Sequence, residues 1–126
     1  MLIAVIDDEI QVQKALARLL KLSGFEIETY TSATAFLDSL STAQPDCIIA
    51  DVHLPGVDAF ELLRRLREMQ LRQSMIFITG RDKPGLKNRA LAAGVVAYLL
   101  KPIEERTLLD AIRISLHRRS EIQGSP

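Results

Sequence analysis

The sequence predicts an α/β protein in which five buried parallel strands form one doubly wound sheet with five helices packed on its two faces. Two observations and one general rule support this fold. Short apolar runs alternate five times with segments of helical periodicity. Most of the runs are apolar at consecutive positions, which is typical of strands buried on both faces. Right-handed crossovers between such strands then favour a doubly wound sheet.

The first strand and the first helix are predicted from adjoining patterns. Residues 2–6 form an apolar, β-branched run that gives way directly to three acids. One face of the helix that follows carries large apolar side chains at helical spacing, namely Val12, Leu16, Leu19 and Leu20. Gly24 supplies the helix C-terminal stop.

The second strand differs from the others in its pattern. Residues 25–30 alternate between apolar and polar side chains, so we expect a strand near the sheet edge with one wetter face.

The second helix and the third strand are predicted next. Residues 34–40 form a short helix with apolar residues available for burial. Residues 47–50 are a second continuous apolar run, which ends at Asp51. The third strand is therefore predicted to be buried on both faces.

The second half of the chain repeats the alternation. A helix over 59–69, a strand over 75–79, a weaker helix ending at Gly94 and a strand over 95–100 are predicted in turn. The last helix has an apolar stripe made of Leu108, Leu109, Ile112 and Leu116. Beyond it the composition turns polar and ends in Gly-Ser-Pro. We expect one domain over residues 1–119 and a polar tail or the start of a linker over residues 120–126.

Composition narrows the class of protein. Sixteen basic residues balance sixteen acidic ones, so no overall charge favours nucleic acid or an anionic membrane. We expect neither direct nucleic-acid contact nor membrane association. No apolar run is long enough for a spanning helix. The single cysteine, Cys47, excludes an internal disulfide and suits a reducing compartment, so a cytoplasmic location is expected.

Polar groups follow four of the predicted strands at the edge where open α/β sheets bind their ligands. Asp7 and Asp8 follow the first strand, Asp51 the third, Thr79 the fourth and Lys101 the fifth. Carboxylate oxygens suit Mg²⁺, and an aspartate can act as a nucleophile toward phosphorus. A lysine and a hydroxyl could contact phosphoryl oxygens. The combination indicates phosphoryl transfer.

The order and spacing of these residues resemble the receiver domains of two-component response regulators over residues 2–119. The resemblance rests on Asp7, Asp8, Asp51, Leu54, Pro55, Gly56, Thr79, Gly80, Tyr98, Lys101 and Pro102. It implies a flavodoxin-like sheet with strand order 2-1-3-4-5. It also implies a regulatory domain whose only catalysis is its own phosphorylation and dephosphorylation.

The resemblance also implies roles at the metal site. Asp51 would be the phosphoacceptor, and Asp8, Asp51 and the backbone carbonyl of His53 would bind Mg²⁺ directly. Asp7 would act mainly through metal-bound water. His53 stands where the family often has methionine, and Ala59 stands where it usually has glycine.

The resemblance implies that other residues bind the phosphoryl group or rearrange in response to it. Thr79 and Lys101 would bind it, Thr79 having few partners beforehand, and Thr79 and Tyr98 would form the pair that rearranges. Tyr98 is expected to be half-buried. Pro102 follows Lys101 where the family commonly has a cis bond.

The implied function is a phosphorylation-activated switch. It would take a phosphoryl group from a sensor histidine kinase or a phosphotransfer protein and act on a downstream protein or a tethered output domain. A homodimer formed on phosphorylation is compatible with the resemblance. The alternative is a receiver-like interaction module that works without phosphorylation. A phosphatase of the haloacid dehalogenase type is disfavoured, because such enzymes need an acid where His53 stands. Whether the domain works alone or within a longer chain stays open.

Overall fold

The computed structural model describes residues 1–40 and 44–124, with side chains as far as residue 118. It contains one parallel sheet with strand order β2-β1-β3-β4-β5, which confirms the predicted topology. The strands are β1 Leu2–Ile6, β2 Glu26–Tyr30, β3 Cys47–Asp51, β4 Ser74–Thr79 and β5 Ala97–Leu100. The helices are α1 Ile10–Leu22, α2 Ala33–Ser39, α3 Ala59–Glu68, α4 Leu86–Ala92 and α5 Glu105–Gly124.

Alternate side chains of the central strands enter two separate cores, which explains why the apolar runs are continuous. In β1, Ala4 and Ile6 belong to the core that also contains residues of α2, α3 and α4, whereas Ile3 and Val5 belong to the core that contains residues of α1 and α5. β2 lies at one edge and is only partly buried, as its alternating pattern predicted. None of the helices in the described part of the chain could span a membrane.

The structure corrects two predicted boundaries. β5 begins at Ala97, two residues later than expected, although Val95 is buried. The amide of Val95 donates to Ala90 O in the preceding turn, so burial there does not require strand pairing. The last helix continues through Gly124 into the stretch predicted as a polar tail. Residues 125 and 126 of that tail lie outside the described residues.

Candidate functional site

The carboxyl ends of four strands bring the predicted polar residues together. Asp7 directly follows β1, Asp51 ends β3, Thr79 ends β4 and Lys101 directly follows β5. Asp8 joins Asp7 and Asp51 in a group whose ligand oxygens all lie within 4.8 Å of one another. Parallel strands produce this convergence because all their carboxyl ends share one edge of the sheet.

Backbone amides orient two of the carboxylates. The amide of Glu9 donates to Asp7 Oδ1 at 2.9 Å, and the amide of His53 donates to Asp51 Oδ1 at 3.0 Å. In each case the amide lies two residues beyond the acid, so a short turn after the strand fixes the carboxyl group. The second oxygen of each carboxylate is left for Lys101.

Lys101 contacts three carboxylates at once. Its Nζ lies 2.9 Å from Asp7 Oδ2, 3.0 Å from Asp51 Oδ2 and 2.9 Å from Glu9 Oε1. Burial alone lowers the pKa of Lys101, but its close contacts with Asp7, Glu9 and Asp51 outweigh burial and raise that pKa. The sequence pattern alone did not predict the contact of Glu9 with Lys101. Its position directly after the two aspartates was the available signal.

The Asp7 carboxyl group is fully buried, and burial raises its pKa in spite of Lys101. Among the described side chains its Oδ2 has no aligned hydrogen-bond partner, although Lys101 Nζ is close. An ionised oxygen in this position is costly unless a cation faces it. Three clustered carboxylate oxygens with one underused, buried member form a donor set that suits Mg²⁺.

Thr79 is fully buried and already bonded, which corrects the expectation that it has few partners at rest. Its Oγ1 accepts from the amide of Arg81 at 3.0 Å. The carbonyl of Arg81 lies 2.9 Å from Nε2 of His53. The loop after β4 is therefore held to Thr79 through the amide of Arg81 and to His53 through the carbonyl of Arg81. The ligand role of the His53 carbonyl stays a prediction.

Tyr98 is more buried than expected, with 8% of its surface exposed. Its hydroxyl donates to Asp82 Oδ1 at 2.6 Å, a contact that the sequence pattern did not predict. Asp82 Oδ1 also accepts from the amide of Lys83. Burial first, and the Asp82 carboxylate second, raise the pKa of Tyr98 to about 12. Asp82 therefore connects the loop after β4 to the middle of β5.

We expect Asp82→Asn to lower the pKa of Tyr98 from about 12, while leaving it above 10.0 because burial, the larger cause, remains. In the wild type, the raised pKa keeps Tyr98 protonated in the folded state at pH values where the same side chain ionises in the unfolded state. Its contribution to stability is thus complete below pH 10.0 and is lost as the pH rises toward about 12. An NMR titration of the tyrosine ring carbons measures the change.

Glu28→Gln is the matched control, because the hydroxyl of Tyr30 donates to Glu28 Oε2 at 2.6 Å. It should alter the titration of Tyr30 and leave Tyr98 unchanged. An unchanged Tyr98 midpoint in Asp82→Asn would show that the Asp82 contact does not form in solution.

The remaining predicted positions frame the site. The Lys101–Pro102 peptide bond is cis, as expected. Ala59 in place of glycine is accommodated as the first residue of α3, where Asp58 caps the helix by accepting from the amide of Glu61 at 2.8 Å. An open cavity of about 600 Å³ is lined by Asp8, Asp51, His53, Arg81 and Lys101, among others. This cavity has room for a phosphoryl group beside a hydrated ion.

Known proteins resemble this chain in sequence and in overall fold. The FixJ transcriptional regulatory protein of Azorhizobium caulinodans is 37% identical over 117 residues, covering 93% of this chain and 56% of its own. The solved structure of the response regulator StyR has a TM-score of 0.87 at 33% identity, covering 98% of this chain and 63% of that one. A receiver protein structure from Burkholderia phymatum has a TM-score of 0.82 at 39% identity, covering 92% and 94%.

The match extends along nearly the whole chain. The chain spans about half the length of the curated relatives it matches. Residues 3–113 fit the family described as "Response regulator receiver domain", and this range includes every strand except the first residue of β1, and every site residue named above. The chain therefore belongs to the family of response regulator receiver domains.

Proposed function

We propose that this chain is a phosphorylation-activated switch of a two-component system, with Asp51 as the phosphoacceptor and Mg²⁺ as the cofactor. The observation that carries the proposal is the position of Asp51, whose Oδ2 lies 3.0 Å from Lys101 Nζ while the carboxylates of Asp7 and Asp8 adjoin it. Receiver domains generally bind Mg²⁺ at such an acidic cluster. They also interact with histidine kinases and output domains.

The charges of the site support this chemistry. Four acids, Asp7, Asp8, Glu9 and Asp51, lie at the site, and Lys101 contacts all of them except Asp8. Mg²⁺ held by Asp8, Asp51 and the His53 carbonyl, with Asp7 acting through water, would offset negative charge on the site and on an incoming phosphoryl group.

In the proposed transfer an oxygen of Asp51 attacks the phosphorus of a phosphohistidine. The P–O bond to Asp51 forms as the P–N bond to the donor breaks, and the imidazole nitrogen keeps the electron pair. Lys101 can exchange its contact with Asp51 Oδ2 for a contact with a phosphoryl oxygen, since its Nζ already lies beside that carboxylate. The Thr79 hydroxyl accepts from Arg81 at rest and retains its own proton for a phosphoryl oxygen.

The proposed output is a change in the face built from α4, β5 and α5. Thr79 is bonded to the loop that carries Asp82, and Asp82 holds the Tyr98 hydroxyl. A shift of Thr79 toward the phosphoryl group would therefore alter the position of Tyr98. The partner is a downstream protein or a tethered output domain. The relatives named as transcriptional regulators support the tethered form.

Acetyl phosphate tests the proposal directly. The wild type with Mg²⁺ should gain the mass of one phosphoryl group, and the same mixture with a chelator should gain none. Intact-mass analysis measures the gain. A wild type that stays unmodified in both mixtures would favour the phosphorylation-independent interaction module instead.

Lys101→Ala and Thr79→Ala are expected to leave the fold intact and to blunt the change around Tyr98. Each variant removes one contact to a phosphoryl oxygen but keeps Asp51 and the metal ligands. NMR shift differences between the free form and the form bound to beryllofluoride, a phosphoryl mimic, measure the change. Lys14→Ala, an exposed lysine of α1, is the control and should reproduce the wild-type pattern. Full wild-type shifts around Tyr98 in both site variants would contradict the proposed route from site to surface.

A further inference from the structure

The buried face of α1 contains one polar side chain. Gln13 is 7% exposed, and it shares this face with Leu16, Ala17 and Leu20. Burying an amide among apolar side chains costs free energy unless its hydrogen-bonding groups are used. The Nε2 group of Gln13 does have hydrogen-bond partners, and they lie at the edge of the sheet where the carboxylates cluster.

Gln13 connects α1 to the ends of two strands. Its Nε2 donates to Tyr30 O at 2.9 Å and lies 3.4 Å from Asp7 O, so its two hydrogens can serve one carbonyl each. Tyr30 O also accepts from the amide of Asp7 at 3.0 Å. Two donors, one from α1 and one from Asp7, therefore meet at the carbonyl oxygen that ends β2.

These hydrogen bonds lie beside a very short connection between β1 and α1. Only Asp7, Asp8 and Glu9 lie between the end of β1 and the start of α1, and all three carry site carboxylates. The position of the Asp7 peptide thus sets where these side chains begin. A neighbour that fixes a metal ligand without touching the metal commonly changes metal affinity by one to two orders of magnitude.

We infer that Gln13 is a positioning residue for the divalent cation site, holding the peptide of Asp7 so that the carboxylates of Asp7 and Asp8 converge with Asp51. The inference rests on the proposed Mg²⁺ binding. Gln13 does not contact the cation. It acts through the backbone between β1 and α1.

Gln13→Met tests the inference, because methionine keeps the length and burial of the side chain and removes the amide donor. The dissociation constant for Mg²⁺, from a titration of backbone amide NMR shifts, should rise about 10-fold in the folded variant. Gln11→Met is the matched control, since Gln11 is an exposed residue of the same helix. It should bind Mg²⁺ as the wild type does.

Thermal unfolding with and without Mg²⁺ separates positioning from a purely structural role. A positioning role predicts that the stabilisation by a fixed Mg²⁺ concentration shrinks in Gln13→Met, because the affinity is weaker. A purely structural role predicts a lower melting temperature without metal but an unchanged increment on adding Mg²⁺. That second result, or an unchanged dissociation constant, overturns the inference.

A measurement on the wild type covers the case in which Gln13→Met does not fold. The side-chain amide resonances of Gln13 should shift on adding Mg²⁺ with the same midpoint as the Asp8 backbone amide. If Asp8 responds and Gln13 does not, the inference fails while the proposed function stands. If the wild type shows no Mg²⁺ response at all, both fail.

Discussion

Asp51→Asn should abolish phosphoryl uptake from acetyl phosphate. An amide is not the anionic nucleophile that forms an acyl phosphate, whereas asparagine matches aspartate in size and keeps an oxygen for the His53 amide. The variant should therefore fold normally and show no mass gain in conditions where the wild type gains one phosphoryl group. Intact-mass analysis of both proteins, incubated in parallel with Mg²⁺, measures the difference.

Asp58→Asn is the matched control for this substitution. Asp58 lies seven residues after Asp51, between β3 and α3, and caps α3. Asparagine performs this capping role equally well. This variant should be labelled as fully as the wild type. Equal labelling of Asp51→Asn and the wild type would place the phosphoacceptor elsewhere.

Asp8→Ala should remove Mg²⁺ binding at millimolar concentrations. Asp8 is an exposed member of the carboxylate group, so its loss should remove a proposed direct ligand while the buried structure around Asp7 remains. Mg²⁺ depends on few protein ligands and keeps its waters, which makes each carboxylate important. Titration of amide NMR shifts with MgCl₂ measures the loss.

His53→Ala should leave Mg²⁺ binding nearly intact, because only the backbone carbonyl of His53 is proposed to bind. The imidazole instead faces the carbonyl of Arg81, so the expected changes lie in the loop after β4. Comparable losses of Mg²⁺ binding in Asp8→Ala and His53→Ala would mean that the proposed ligand set is wrong.

The sequence predicted the sheet and most of the site for one physical reason. Each main functional group directly follows, or ends, an apolar run, and parallel strands bring those positions to one edge. Strand order followed from the family resemblance, and the structure confirms it. β5 was predicted to start too early because Val95 is buried by the turn after α4, and an apolar run alone does not reveal strand pairing.

The contacts that the sequence did not predict join residues far apart in the chain. Glu9 meets Lys101, Asp82 meets Tyr98, and Gln13 meets the carbonyl of Tyr30. Each depends on a side-chain rotamer and on the packing of a helix or loop against a distant strand. Charge and spacing indicate that such residues are polar neighbours of a site, but they do not specify a partner.

The shared use of Asp51 has a thermodynamic consequence. One of its oxygens pairs with Lys101, and its carboxylate also belongs to the cluster with Asp7 and Asp8. A cation and a phosphoryl mimic that meet at one residue bind as linked ligands. Linkage is reciprocal, so the factor by which Mg²⁺ tightens beryllofluoride must equal the factor by which beryllofluoride tightens Mg²⁺. With positive linkage, the domain would act as a coincidence detector, responding strongly only when both ligands are present.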